Sequence, residues 1–577
     1  MRKLYRFPTQ SIFCSSTYFI LTRFYFHNQN SQTFLYEKFY YKPKAFLNHY
    51  WTLGDNTDLK TSAYVSFGRG GGTGARGRMN NADPDDGFFR DRIFNSFSGF
   101  GLGIHDANGN VRWDDIVAYN QGTEIAGFGE ADTDPGTTTS SGDGFIRRAS
   151  MNSHNWYGVL STLTHRINSQ LTLTGGVDFR YYKGIHYRRL ENLLGNTSYL
   201  SRSDINNPMN SITEVSEAKF GNFHDNSYKD GNNVLNYWND GIVNWAGVFA
   251  QLEYSNEKLT AFASVNGSNQ GFKRIDYFNY LDSDPQQETD FQNFLGGNVK
   301  TGLNYNIDDN NNVFFNAGYI SKQPIFDNVF LNFVNNINED AKNQSITSFE
   351  VGYGYRSPSF RANVNGYYTR WGNRQLNFGT ENALDQDLLY NFTTEQVHSG
   401  IELEFNWTPI RSLSIKGMAS VGNWEYGSDF TAVGSNLDSV AFVPQDITIF
   451  ADGLKVGDAA QTTMNLGINY EIVDGLRVYA DYFFNDNLYA QFSLDQDTQF
   501  QSEGGQVLKL DSYSLVDLGA SYTFPISDYK MTLRLNINNL FDTWYISELT
   551  SNRATILESQ GFVGFGRTWN AGLKFHF

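Results

Sequence analysis

The stretch Gly72-Thr-Gly-Ala-Arg-Gly-Arg-Met79 comes within two residues of a phosphate-binding loop. Such a loop needs Lys after its second glycine to reach the phosphates and then Ser or Thr to hold magnesium. Arg78 and Met79 stand there instead, and no helical periodicity follows, so the glycine cluster Gly68–Gly77 reads as a flexible surface loop. The nine histidines (His27, His49, His105, His154, His165, His186, His224, His398 and His576) show neither HExxH nor i, i+4 spacing. Zinc chemistry therefore has no foundation. The acidic patches Asp83-Pro84-Asp85-Asp86, Asp114-Asp115 and Asp282-Ser283-Asp284 lack the ligand spacing of a calcium loop and read as solvated loops. No Ser/His/Asp set stands out. The chain does not read as an enzyme, and no cofactor or metal site is expected.

Polar residues carry more meaning where they share one side of an alternating segment. In 360–369, Phe360, Ala362, Val364, Gly366 and Tyr368 alternate with Arg361, Asn363, Asn365, Tyr367 and Thr369. A helix would mix these two sets, whereas a strand sends them to opposite faces. The last segment repeats the pattern, with Trp569, Ala571, Leu573, Phe575 and Phe577 on one parity and Asn570, Gly572, Lys574 and His576 on the other. The pair 246–254 and 259–265 does so around the polar turn Ser255-Asn256-Glu257-Lys258, as a hairpin would.

Further pairs are 154–167 with 170–182, 297–307 with 312–321, 346–356 with 359–371, 397–407 with 412–424, 462–472 with 476–489, and 512–524 with 529–540. With Lys44–Leu53, Leu59–Phe67 and the final segment they make roughly seventeen strands. Turns inside each pair are short. Between pairs the connections 69–150, 184–240, 269–290, 323–343, 372–393, 426–458, 490–510 and 543–563 run long and polar. Tight turns at one end and long loops at the other are the asymmetry of a transmembrane antiparallel β-barrel, all-β, with short periplasmic turns and long extracellular loops.

Composition agrees. Aromatic residues make 16% of the 577 residues, prolines number only 11, and charged residues reach 18%. Strand-rich barrels accumulate aromatics in their interfacial girdles, and proline cannot donate to a ladder. A single cysteine excludes a disulfide framework. The net charge of -17 argues against a sequence-independent nucleic-acid binder. Mean hydropathy is -0.46, and no apolar run of about 18 residues occurs, which excludes spanning helices and leaves a barrel untouched.

Charge on an inward strand face is how such barrels select solutes. Asp178 and Arg180 share one parity, Gln251 and Glu253 share another, and Arg361 lies on the polar parity of its strand, so all are expected in the lumen. Contacts to substrate are expected from aromatic and Arg side chains at the extracellular ends: Tyr181, Tyr182, Arg274, Tyr277, Arg370 and Trp371.

The stretch Leu533-Arg-Leu-Asn-Ile-Asn-Asn-Leu-Phe-Asp-Thr-Trp-Tyr545, with Gly566-Arg-Thr-Trp-Asn-Ala-Gly-Leu-Lys-Phe-His-Phe577, resembles the closing strands of TonB-dependent outer-membrane receptors. Ser66–Gly74, Thr174–Tyr182, Trp245–Tyr254 and Asn312–Pro324 are similar to stretches of the Bacteroidetes-type members. The resemblance spans about 31–577. It implies a receptor in the cell outer membrane that admits a scarce, bulky nutrient such as an iron–siderophore. It also implies a 22-stranded barrel closed by an N-terminal plug, and a TonB box pulled by the TonB complex. Trp569, Leu573, Phe575 and Phe577 would form the signal to the barrel-assembly machinery. Membrane lipid and a small or medium nutrient ligand are the further partners it implies.

Against that pattern, about 30 residues precede the first matching segment, and the strand count falls short of 22. The expectation is a barrel of about 16–18 strands over 31–577, truncated and lacking the plug. TonB is then a partner only if a plug and TonB box are encoded upstream. Residues 1–30 carry Arg2, Lys3, Arg6 and Arg23 without an acid, yet have no clean apolar core or cleavage site. They read as an atypical leader or a gene-fragment artefact. A plug-free passive porin and a surface adhesin or binding barrel remain the alternatives.

Overall fold

The computed structural model describes residues 37–78, 106, 110–126, 128, 136–139, 144–214, 234–331, 333–381, 387–436, 446–491, 500, 502–549 and 561–576. The leader reading over 1–30, the Asp83–Asp86 patch and Phe577 lie outside these residues. Twenty strand segments share one antiparallel sheet. Three are short extensions, Lys38–Tyr41, Phe430–Asn436 and Ile447–Ile449. The other seventeen pair in chain order: β1 (Lys44–Gly54), β2 (Thr57–Arg78), β3 (Gly144–Arg166), β4 (Leu171–Asn192), β5 (Val234–Ser255), β6 (Leu259–Asp276), β7 (Gln292–Asn306), β8 (Asn311–Lys322), β9 (Gln344–Arg356), β10 (Phe360–Glu381), β11 (Asp387–Ile410), β12 (Leu413–Tyr426), β13 (Thr462–Val473), β14 (Leu476–Asp486), β15 (Tyr513–Ile526), β16 (Tyr529–Asn538) and β17 (Thr568–His576). The ends of the meander are β1 and β17. No helix among the described residues is long and apolar enough to cross a membrane.

Directly paired residues in an antiparallel ladder share a face, so the register traces each face across the sheet. One face is apolar from end to end: Val159 pairs Phe179, Val177 pairs Val248, Val265 pairs Val299, Leu303 pairs Phe315, Val364 pairs Leu403, and Leu533 pairs Leu573. Those side chains are largely exposed, as Leu295 and Val248 illustrate. In water so broad an apolar surface would be an aggregation hazard; against hydrocarbon it is the required surface. The other face carries Asp178, Gln251, Ser264, Lys300, Asn365, Glu402 and Asn536.

Short turns close one end of the strands with repeated chemistry. Asn168 Oδ1 accepts from the backbone N–H groups of Gln170 and Leu171, Asn256 Oδ1 from those of Lys258 and Leu259, and Asp308 Oδ1 from those of Asn310 and Asn311. These Asx turns explain why Asn and Asp recur there. At Asp474-Gly475 the glycine is needed, with φ at +80° and the Thr523 carbonyl 2.3 Å from where a Cβ would stand.

At the far end, several connections expected to be loops are strand. The glycine cluster belongs to β2, which runs to Arg78, and β10 and β11 carry the hairpin through most of 372–393. Gly71 lets the Ser150 carbonyl approach to 2.4 Å from its absent Cβ, and Gly68 admits the His154 ring. A 22-residue strand rises about 70 Å, far more than the roughly 10 residues a bilayer needs. These outer extensions have no lipid face, so the alternation that reveals the spanning part is absent from them. The buried apolar clusters gather here. One joins Ile116 and Tyr119 of α1 (Trp113–Asn120) to Phe128 and Phe145; another joins Phe392, Phe430, Ile449 and Phe500. The long connections are thus packed structures with cores of their own.

Candidate ligand-binding site

The register between β10 and β11 slips between Trp371 and Arg374, where Asn373 takes a positive φ of +54°. A bulge inserts an extra residue and re-aims the side chains beyond it. Under strict alternation Trp371 and Arg374 would face opposite ways. After the slip Arg374 pairs Thr394, on the same parity as Gln396, the partner of Trp371. Both side chains therefore stand on the polar face, near the long-loop end.

Around them is a cluster of cations and aromatics. Lys322 Nζ and Arg374 Cζ lie over the Trp371 ring, 5.5 and 5.2 Å from its centroid. The Trp371 indole N–H donates to Gln344 Oε1 at 2.8 Å, and Arg374 Nη1 donates to Gln396 Oε1 at 2.6 Å. These two glutamines are buried and fix the indole and guanidinium by their polar ends. Nearby, the rings of His398 and Trp424 stand 5.4 Å apart. Two cations beside a half-buried indole suit an anionic, planar ligand.

Deeper on the same face the chemistry changes sign. Glu350 accepts from Asn316 and Asn365 at 3.1 Å each, Asn365 also donates to Glu402 at 3.2 Å, and Asn363 donates to Glu404 at 2.8 Å. The amides hold three carboxylates in an ordered row across β9 to β11. No group of three or more metal-ligating side chains occurs among the described residues.

The residues expected at the site divide by parity. Tyr182 and Trp371 face the polar side, while their neighbours Tyr181 and Arg370 face the apolar side; consecutive strand residues cannot share a face. Arg274 and Tyr277 are buried. Arg274 pairs with Asp276 at 3.0 Å, and the Tyr277 hydroxyl donates to Asp240 at 2.9 Å, which ties down the outer ends of β5 and β6. Asp178, Arg180, Glu253 and Arg361 all lie on the polar face. Asp178 and Arg180 pair with each other at 3.0 Å, and the Arg180 guanidinium stacks 5.5 Å from the Trp245 ring. Lys322 and Arg374 were missed: the first ends its strand, and the second is turned inward only by the bulge.

The sequence pattern described as TonB dependent receptor-like, beta-barrel, matches residues 29–540. The chain belongs to this family. No curated protein matches the sequence. Among solved structures, the TonB-dependent receptor barrel seen here is similar to one titled copper transporter OprC, with a TM-score of 0.60 and 11% identity over 94% of this chain and 66% of that one. It is similar also to the ferric-catecholate import receptor Fiu of E. coli K12 in its closed form, at 0.56 and 13% over 94% and 65%. A third is the ferric citrate transporter FecA in its unliganded form, at 0.56 and 9% over 93% and 62%. At these identities the likeness is one of fold. The chain spans just under two thirds of the length of these structures.

In this TonB-dependent receptor barrel the last strand behaves as its alternation requires. Trp569, Leu573 and Phe575 stand exposed on the apolar face of β17, opposite Ile537, Leu533 and Met531 of β16. His576 faces the polar side and bonds Thr532 at 2.9 Å.

Proposed function

We propose that the chain forms the barrel of an outer-membrane receptor for TonB-dependent uptake of a scarce, bulky nutrient, a negatively charged metal chelate of the siderophore class. The rim cluster carries this reading: Lys322 and Arg374 over Trp371, on the polar face and at the long-loop end. The similarity to a copper transporter, a ferric-catecholate import receptor and a ferric citrate transporter supports this choice of ligand chemistry. Below the rim, the carboxylates Glu350, Glu402 and Glu404 repel an anion. A chelate held at the rim therefore meets a barrier against passive passage, consistent with transport that needs energy from TonB. Trp569, Leu573 and Phe575 serve insertion by the barrel-assembly machinery on this reading.

The test is binding of ferric catecholate, ferric citrate and an uncharged chelate to the purified full chain in detergent, read by tryptophan fluorescence. At least one anionic ferric chelate is expected to quench, and Trp371→Ala to abolish that response. Binding that ignores ligand charge, or quenching unchanged in Trp371→Ala, overturns the assignment. Free diffusion of small solutes through the reconstituted chain, with no saturable chelate binding, would make it a passive channel.

A further inference from the structure

The glycine-rich outer end of β2 lacks the residues of a phosphate loop, yet it brings cations together. Gly74 pairs Arg148 of β3, and the Arg148 guanidinium lies against it, with Cζ 3.2 Å from where a Cβ would stand. Arg148 Nη1 donates to Ser150 Oγ at 3.1 Å, and Arg188 Nε of β4 donates to the same oxygen at 3.3 Å. Arg76 stands two residues beyond Gly74 on the same parity, and its buried Nε has no hydrogen-bond partner among the described residues. Arg148 and Ser150 share the parity of Trp156, and Arg188 that of Tyr182. All three guanidiniums therefore stand on the polar face, at the long-loop end.

A second bulge sets Arg188. The register between β4 and β5 slips between Tyr187 and Arg188, where Asn236 takes a φ of +65°, and the Arg188 guanidinium lies 4.9 Å from the centroid of the Tyr237 ring. Burial pushes the Arg188 guanidinium down from its usual value, and the charge of Arg76 adds to that effect. The carboxylates of β2 to β5 are placed or engaged elsewhere. Asp58 and Glu253 stand at the short-turn end, while Asp178 bonds Arg180, Glu191 bonds Arg189 and Asp240 bonds Lys183. Neither Arg76 nor Arg188 has a carboxylate partner among the described residues. Ser150 accepts from two guanidiniums and keeps its own hydrogen to donate. Donors thus converge from several directions. A planar carboxylate accepts within one plane, whereas a phosphoryl group offers three acceptor oxygens and close to two negative charges.

We propose that Arg76, Arg148, Arg188 and Ser150 bind a phosphoryl group, as free phosphate or carried on a larger ligand, at the outer ends of β2 to β4. The site is separate from the cluster at Trp371, which is built on β8 to β11, and stands whether or not that cluster takes a chelate.

The full chain in a maltoside detergent is titrated calorimetrically with inorganic phosphate, sulfate, acetate and glycerol 3-phosphate at constant ionic strength. Phosphate and sulfate are expected to bind at least about tenfold more tightly than acetate. Arg76→Gln and Arg188→Gln are each expected to weaken phosphate by about tenfold, and Ser150→Ala, which leaves every charge in place, by about threefold. Arg477→Gln, at the turn end of β14 and paired with Glu471, is the control for lost charge and is expected to change nothing. Glycerol 3-phosphate bound as tightly as phosphate assigns a carried phosphoryl group, and its exclusion assigns free phosphate. No phosphate binding, acetate bound as well as phosphate, or a phosphate affinity unchanged in Arg76→Gln, Arg188→Gln and Ser150→Ala overturns the site.

Discussion

The Trp424 indole N–H donates to the Tyr367 hydroxyl at 2.9 Å although their strands, β12 and β10, are separated by β11. The reach is possible because Gly400 lies between them; a Cβ at that position would stand 2.6 Å from the hydroxyl. Tyr479 does the same over Gly519, reaching Asn536 two strands away. Glycine on the polar face thus seats an aromatic that locks three strands together. Gly400→Val should cost about 2–3 kcal/mol by overpacking. Tyr367→Phe, which removes only the hydrogen-bond acceptor, should cost about 1 kcal/mol. Denaturant unfolding in detergent micelles checks the order of the two, and a costlier Tyr367→Phe would contradict the packing argument.

The rim cluster should separate charge from surface. Lys322→Ala and Arg374→Ala each remove one cation beside Trp371 and should weaken an anionic chelate by about 1–2 kcal/mol, near tenfold in Kd. Arg374→Lys keeps the charge but loses the planar fork held by Gln396, so an intermediate loss is expected. Calorimetric titration gives these constants directly.

Arg274 makes the contrasting case. Its side chain is 6% exposed and bonds Asn239 and Asp276, with Asp276 only 2% exposed. Arg274→Ala leaves the buried Asp276 carboxylate its hydrogen bonds from Phe278 and Asn279 but no cation, and a loss of about 3 kcal/mol is expected. The expected sign is lower stability of the outer ends of β5 and β6 with chelate affinity unchanged once folded. Hydrogen exchange at 239–240 and 274–277 reads the first, titration the second.

Asp308 supplies a pH test in a turn outside the membrane-spanning segments. The backbone N–H of Asn310 and then the side-chain amide of Asn311 hold its carboxyl below the usual carboxylate range. A depressed folded pKa means the stabilisation is complete above the unfolded value, near 4, and fades as pH falls through the lower folded value. The protection factors of the Asn310 and Asn311 amides, taken against the unstructured exchange rate at the same pH, should fall below about pH 4. Asp308→Asn should abolish that pH dependence with the turn intact, and Asp308→Ala should open the turn at every pH.

Gly475 tests the need for a left-handed turn residue. With φ at +80° and the Thr523 carbonyl in the way, Gly475→Ala should cost at least about 1–2 kcal/mol. The same exchange at Gly366, where space is open and φ is ordinary, should cost little. The difference in unfolding midpoint between the two variants is the measurement.

The alternation of side chains determined the fold class, the number of strands and the face each membrane-spanning residue takes. Period two is a local property, and a lipid face demands it on every strand: Val364 and Asn365 declare their sides without any neighbour. The Asx turns were equally local, since Asn168, Asn256 and Asp308 bond the residues just after them. The site was only half legible. Trp371 could be placed from its parity, but Arg370 beside it had to face the other way, and Arg374 replaced it at the rim through a one-residue slip. A bulge depends on pairing with a second strand, so no property of β10 alone reveals it. The strand extensions and cores beyond the membrane were hidden for the same kind of reason. There the partners of Phe392 are Phe430 and Phe500, brought together across connections whose own sequence has no repeating face. Tertiary structure decided which cations meet Trp371, because those contacts form between strands and not along them.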